Sequence, residues 1–80
     1  MTELANAEKR LVGTKQVLRA IKAGTLKEAF VASDADTFLY QRVVTAAENA
    51  GVAVTRVPTM KELGAACHVA VDTAAAGLLK

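Results

Sequence analysis

The chain has 80 residues, 52% of them hydrophobic and 22% charged, which suits one small folded core and argues for a globular chain rather than disorder. A net charge of +2 is too small to name a partner by itself, and a single cysteine, Cys67, excludes an internal disulfide framework and suits a reducing compartment. No apolar run approaches the roughly 18 residues needed to span a bilayer, and the polar, acidic start lacks a signal-peptide pattern, so a cytoplasmic protein without membrane contact is expected.

The charge is unevenly placed. Residues 1–27 carry six Lys and Arg against two Glu, whereas residues 28–80 carry four against six carboxylates. A basic first third on a mildly acidic remainder is the distribution expected of a nucleic-acid binder.

In chain order, Thr2 to Lys9 or Arg10 reads as a first helix, with Thr2 as N-cap. Leu11 and Val12 suggest a very short strand before Gly13. A helix from about Thr14 to Ala23 follows, with Gly24 placed to close it. Leu26 to Ser33, with its continuous run Ala29-Phe30-Val31-Ala32, reads as a central strand buried on both faces. Asp36 or Thr37 can cap the next and longest helix, whose inner stripe is Leu39, Val43, Ala46, Ala47 and Ala50 and which Gly51 ends. The β-branched stretch Val52 to Val57 predicts a strand stopped by Pro58. Thr59 and Glu62 have capping-box spacing, predicting a short helix over Met60 to Cys67. His68 to Asp72 is loop or a strand entrance, and Thr73 to Leu79 is small and apolar enough for a last strand, although its alanines also permit helix. This alternation predicts one α/β domain over residues 1–80, a three-layer α/β/α sandwich around a small mixed sheet.

The most informative stretch is Leu11 to Lys22. Lys15, Arg19 and Lys22 recur at spacings of four and three, so they share a helix face, while Val17, Ala20 and Ile21 can pack inward. A helix start after glycine offers free N–H groups and partial positive charge to an anion, and the Gln16 amide stands beside the cations. Such a surface suits a phosphate-bearing polymer, and RNA is the expected partner. The ordinary alternative for Lys and Arg on an outer helix face is solvation alone.

Other residues carry less. Gly13-Thr14-Lys15 lacks the upstream glycine of a Walker loop. Asp34 and Asp36 precede a helix and are expected to cap it rather than to hold a metal. Cys67 and His68 are neighbours in sequence, which does not make a nucleophile–base pair, and one His with one Cys gives no metal-ligand spacing. A buried structural thiol is the expected role of Cys67. Gly64 fits close packing or a helix end, Tyr40 partly exposed packing away from the cationic face, and Arg42 and Arg56 solvated charges. No catalytic constellation, cofactor or small-molecule substrate is indicated.

The blocks Val12-Gly13-Thr14-Lys15-Gln16, Val31-Ala32-Ser33-Asp34-Ala35-Asp36 and Val57-Pro58-Thr59-Met60-Lys61-Glu62-Leu63-Gly64, with the Ala-rich end after Val69, resemble the kink-turn RNA-binding family of ribosomal proteins, the L7Ae and L30e group. Their order and spacing cover nearly everything from Leu11 to Leu79. The resemblance implies the same sandwich, no catalytic activity, and recognition of tandem sheared G·A pairs by the N-terminal end of the helix after Gly13. The archaeal and eukaryotic pattern there is Gly-x-Asn-Glu-x-x-Lys. Here Gly13 matches, and Lys15, Gln16 and Arg19 stand where Asn, Glu and Lys would, an arrangement similar to the bacterial subgroup. Gln16 can still donate and accept, and Lys15 adds a donor for guanine acceptors or phosphate.

The resemblance further implies a loop before the last strand that packs apolar side chains on an extruded nucleotide, at Val69 and Ala70, with His68 just before them. The expected RNA-binding set is therefore Gly13, Thr14, Lys15, Gln16, Arg19, Lys22, His68, Val69 and Ala70. The expected protein is a monomer that binds structured RNA, a kink-turn or ribosomal RNA, in a ribonucleoprotein such as the ribosome. The competing expectation is a ribosome-associated protein-interaction or assembly module that does not read RNA directly.

Overall fold

The computed structural model describes residues 8–80. Its elements are β1 (Arg10–Val12), α1 (Thr14–Ala23), β2 (Leu26–Ala32), α2 (Thr37–Asn49), β3 (Ala53–Val57), α3 (Met60–Ala66) and β4 (Ala75–Leu79). The expected first helix falls largely on residues 2–7, outside the described residues. At its far end Glu8 and Lys9 form a turn and Arg10 already belongs to β1, because its backbone pairs with Leu78. None of the described helices is long and apolar enough to cross a membrane.

The four strands lie in the order β1-β4-β2-β3. β4 runs antiparallel to both β1 and β2, while β2 and β3 are parallel, with α2 as the crossover between them. The sheet is therefore mixed, as expected. Ala29, Phe30, Val31 and Ala32 of β2 are all buried, because alternate side chains enter two different cores. Phe30 and Ala32 face a core closed by Leu63 and Cys67 of the α3 segment, with Val57, Ala76 and Leu78. Ala29 and Val31 face the opposite core, closed by Val17, Ala20 and Ile21 of α1 and Val43 and Ala47 of α2.

Strict alternation would put Leu26 on the Phe30 side. It lies instead in the α1/α2 core. Leu26 stands opposite Leu79 and Glu28 opposite Leu78, so β2 carries one extra residue there. The bulge switches Leu26 across the sheet and leaves Lys27 exposed.

Helix boundaries follow local chemistry. Gly24 adopts left-handed φ 75° and its N–H returns to the end of α1. The Asp36 carboxylate accepts from the Phe38 and Leu39 N–H groups at 2.9 and 3.3 Å, and Thr59 Oγ1 accepts from Glu62 N–H at 3.0 Å, which are the expected caps. Asp34 caps a different helix from the one anticipated: its Oδ1 accepts from Met60 N–H at 2.8 Å, fixing the start of α3. Ala50, expected on the inner stripe of α2, is exposed because the helix stops at Asn49 and Ala50 is its C-cap. The last strand begins at Ala75 rather than Thr73, since Thr73 donates its N–H to Met60 O at 3.0 Å and not to a strand. Arg56 is exposed but not merely solvated: its Nε donates to the Tyr40 hydroxyl and its guanidinium lies 5.9 Å from that ring's centroid, tying α2 to the β3 edge.

Candidate nucleic-acid interface

β1, β2 and β3 all point the same way, so α1, α2 and α3 start at one end of the sheet, where β4 also begins. Main-chain bonds stitch that end together. Gly13 N–H donates to Ala75 O at 3.0 Å, Ala32 N–H to Ala74 O at 2.9 Å and Ser33 N–H to Val57 O at 2.7 Å. The start of α1 and the 67–74 loop, far apart in sequence, are thereby held at a common end.

Gly13 has φ 114° and ψ 142°, a region that side chains rarely adopt. A Cβ there would meet nothing within 4 Å, so the backbone at the start of α1 is open on its outer side. The first helical bond is donated by Val17 to Gly13 O. No side chain caps α1 and no acid occupies its first turn. By contrast, Asp36 caps α2, while Thr59 and Asp34 hold the start of α3. Of the three described helices, α1 alone presents its first N–H groups without a side-chain acceptor, leaving them to an external one.

The predicted residues of α1 are placed together. Lys15, Gln16, Arg19 and Lys22 are exposed and Thr14 is half-buried, while Val17, Ala20 and Ile21 anchor the inner face. Lys15, Gln16 and Arg19 border an open groove of about 500 Å³ whose floor includes Leu11, Ala20 and Leu79. It lies beside the β1 edge. Lys22 sits in the last turn of α1, where a cation also favours the helix dipole, and so stands farthest from Gly13.

The 67–74 loop divides the remaining predicted residues. His68 takes φ 59°; its N–H donates to Ala65 O and that of Val69 to Gly64 O, both at 3.1 Å. This is the bond pair of a Schellman motif, with His68 at the left-handed position and Val69 packed back onto the core. Val69 is half-buried against the α3-side core, whereas His68 and Ala70 are exposed. The sequence reading missed Val71, which is 69% exposed and provides the larger apolar surface at this loop. The available signal was a β-branched residue between Ala70 and Asp72, in a segment too short and too polar to be a strand. Close packing is the role of Gly64, since a Cβ on it would lie 2.3 Å from Val71 O. Helix α3 therefore sets the height of the loop.

Cys67 is fully buried and unpaired. Burial pushes its thiol above the usual value, opposed by the Arg10 guanidinium, so it is a neutral core group. Among the described residues no group of three or more His, Cys, Asp or Glu could hold a metal ion.

Fold and site together define an α/β/α sandwich that exposes an uncapped, cationic helix start beside an apolar loop. The sequence matches the ribosomal protein L7Ae/L30e/S12e/Gadd45 family over residues 2–80, and the chain belongs to that family. It is 44% identical over 78 residues to the RNA-binding protein YbxF of Geobacillus stearothermophilus, covering 98% of this chain and 95% of that protein. It is 35% identical over 68 residues to the RNA-binding protein TTE2299 of Caldanaerobacter subterraneus, covering 85% and 83%. Among solved structures, the Giardia lamblia 15.5kD RNA binding protein superposes with a TM-score of 0.89 at 26% identity, over 99% of this chain and 67% of that one.

Proposed function

We propose that this is a non-catalytic RNA-binding protein of the cytoplasm that recognises a kink-turn or a similar internal-loop RNA as a monomer, within ribosomal or other structured RNA. The observation that carries the reading is the start of α1, uncapped and free of acid, with Lys15 and Gln16 exposed in its first turn. The family membership and the RNA-binding relatives support the same partner.

In this mode Gly13 lets the RNA approach the backbone, and the Thr14, Lys15 and Gln16 N–H groups face phosphate or base acceptors. Gln16 reads a base edge by donating and accepting at once. Lys15 bonds guanine acceptors or phosphate, and Arg19 and Lys22 neutralise phosphates along the helix. The extruded nucleotide rests on the loop, with Ala70 and the exposed Val71 as its apolar support, His68 beside it and Val69 holding the loop to the core. Lys15→Glu, which places like charge against phosphate, should cost on the order of 2 kcal/mol or more of binding. Unchanged affinity of that variant in a gel-shift titration would overturn the assignment.

A further inference from the structure

We infer that the groove between α1 and α2 is a second RNA contact, which holds one unpaired nucleotide of the bound RNA by stacking its base on Phe38. The inference needs an RNA partner, as proposed above, but does not depend on a kink. Phe38 stands in the first turn of α2 and is 70% exposed. It borders a groove of about 450 Å³ shared with Leu18 of α1 and with Gln41, Arg42 and Asn49 of α2, a size within the usual range of small-ligand sites, roughly 300–1,000 Å³.

The chemistry of the lining selects the occupant. An aromatic face and a leucine offer a stacking platform, two amides can read a base edge, and a guanidinium can take the phosphate. Among the described residues lining the groove, Arg42 is the only charged one and none is a carboxylate. The nearby Asp36 carboxylate is turned to the Phe38 and Leu39 N–H groups. The groove also adjoins the cationic surface of α1. Lys15, Leu18 and Lys22 follow one another at spacings of three and four, so Leu18 lies on the same ridge as the two exposed lysines. Leu18 itself lines the groove with Phe38, so the ridge that carries the lysines borders it.

A protein partner is less well matched. Phe38 and Val71 are the exposed large hydrophobic residues among those described. One stands on α2, which closes one core, and the other in the loop after α3, which closes the other. No larger apolar patch of the kind on which protein interfaces are centred joins them among the described residues.

The test compares a blunt kink-turn RNA with the same RNA bearing a short single-stranded extension on either stem, titrated with the wild-type protein and with Phe38→Ala and Arg42→Ala. Both side chains are exposed, and circular dichroism confirms that the variants remain folded. One of the extended RNAs is expected to bind the wild type roughly 5- to 150-fold more tightly than the blunt one, the range set by base–aromatic stacking. Phe38→Ala should remove that difference and leave blunt-RNA affinity unchanged. A fluorescent base analogue in the extension should be quenched by the wild type and not by Phe38→Ala.

Equal affinity for all RNAs with the wild type, or an extension effect that survives Phe38→Ala, overturns the proposal and leaves the groove to a protein partner. Failure of the kink-turn reading looks different: the kinked RNA and a fully Watson–Crick control would bind equally, while the Phe38-dependent gain from the extension would persist.

Discussion

Gly64→Ala separates the packing role of Gly64 from ordinary helix propensity. In an exposed helix interior the change would stabilise the protein by about 1 kcal/mol. Here the new Cβ would lie 2.3 Å from Val71 O, 3.3 Å from Val71 C and 3.5 Å from Thr73 Oγ1. Ordinary contact begins near 3.4 Å, so the loop backbone must retreat by about 1 Å, at an overpacking cost of about 1–3 kcal/mol. The loop resists because Val69 N–H is bonded to Gly64 O and Thr73 N–H to Met60 O.

The expected result is no gain in stability, down to a loss of about 2 kcal/mol, in urea unfolding. Amide shifts should change from Val69 to Thr73, and kink-turn RNA should bind about tenfold more weakly, a difference of about 1.4 kcal/mol. Ala65→Gly, at an exposed position of the same helix, should cost about 1 kcal/mol of stability through propensity and leave RNA affinity intact. A Gly64→Ala protein stabilised by about 1 kcal/mol with unmoved loop shifts would refute the close-approach argument.

Other consequences can be checked directly. Arg19→Ala and Lys22→Ala should each reduce the slope of log affinity against log salt by about 1, with Arg19 the larger loss in affinity because it borders the same groove as Lys15 and Gln16. Asp36→Ala removes the acceptor for two N–H groups of α2 and should cost about 1 kcal/mol in thermal or urea unfolding. Burial raises the folded pKa of Cys67 above the ordinary value of a thiol, 9.0. Its contribution is therefore fully present below that value and is lost as pH rises above it, because the unfolded thiol ionises first. The unfolding midpoint of the wild type should fall more steeply than that of Cys67→Ala above that pH, and native Cys67 should resist alkylation at neutral pH.

Much of the fold was legible because its signals are local. Gly24, Asp36, Thr59 and Pro58 act on their own turns, and the run from Ala29 to Ala32 marks the strand that two cores share. What escaped the sequence depends on distant partners. The bulge at Lys27 exists because β4 pairs with β2 out of step, and nothing near Leu26 announces that. Asp34 looks like a cap for the helix that follows it, yet it reaches α3, 26 residues away, because β2 and β3 are parallel neighbours.

The site divides in the same way. The stripe Lys15, Arg19 and Lys22 is a periodicity within one helix and could be read directly. The loop could not be resolved by spacing, since whether Val69 or Val71 faces outward is set by the left-handed turn at His68 and by the Gly64 surface beneath it. Phe38 escaped for a simpler reason: it stands beside the inner stripe of α2 without belonging to it, and only the packing of α1 against α2 shows that it borders a groove with Leu18.

The most direct test of the central claim is calorimetric titration of the protein into a synthetic kink-turn RNA, beside a control in which Watson–Crick pairs replace the tandem G·A pairs. Tight binding to the first and its loss on the second is the predicted result. Equal affinity for the two would contradict kink-turn recognition and reduce the α1 surface to a general phosphate binder.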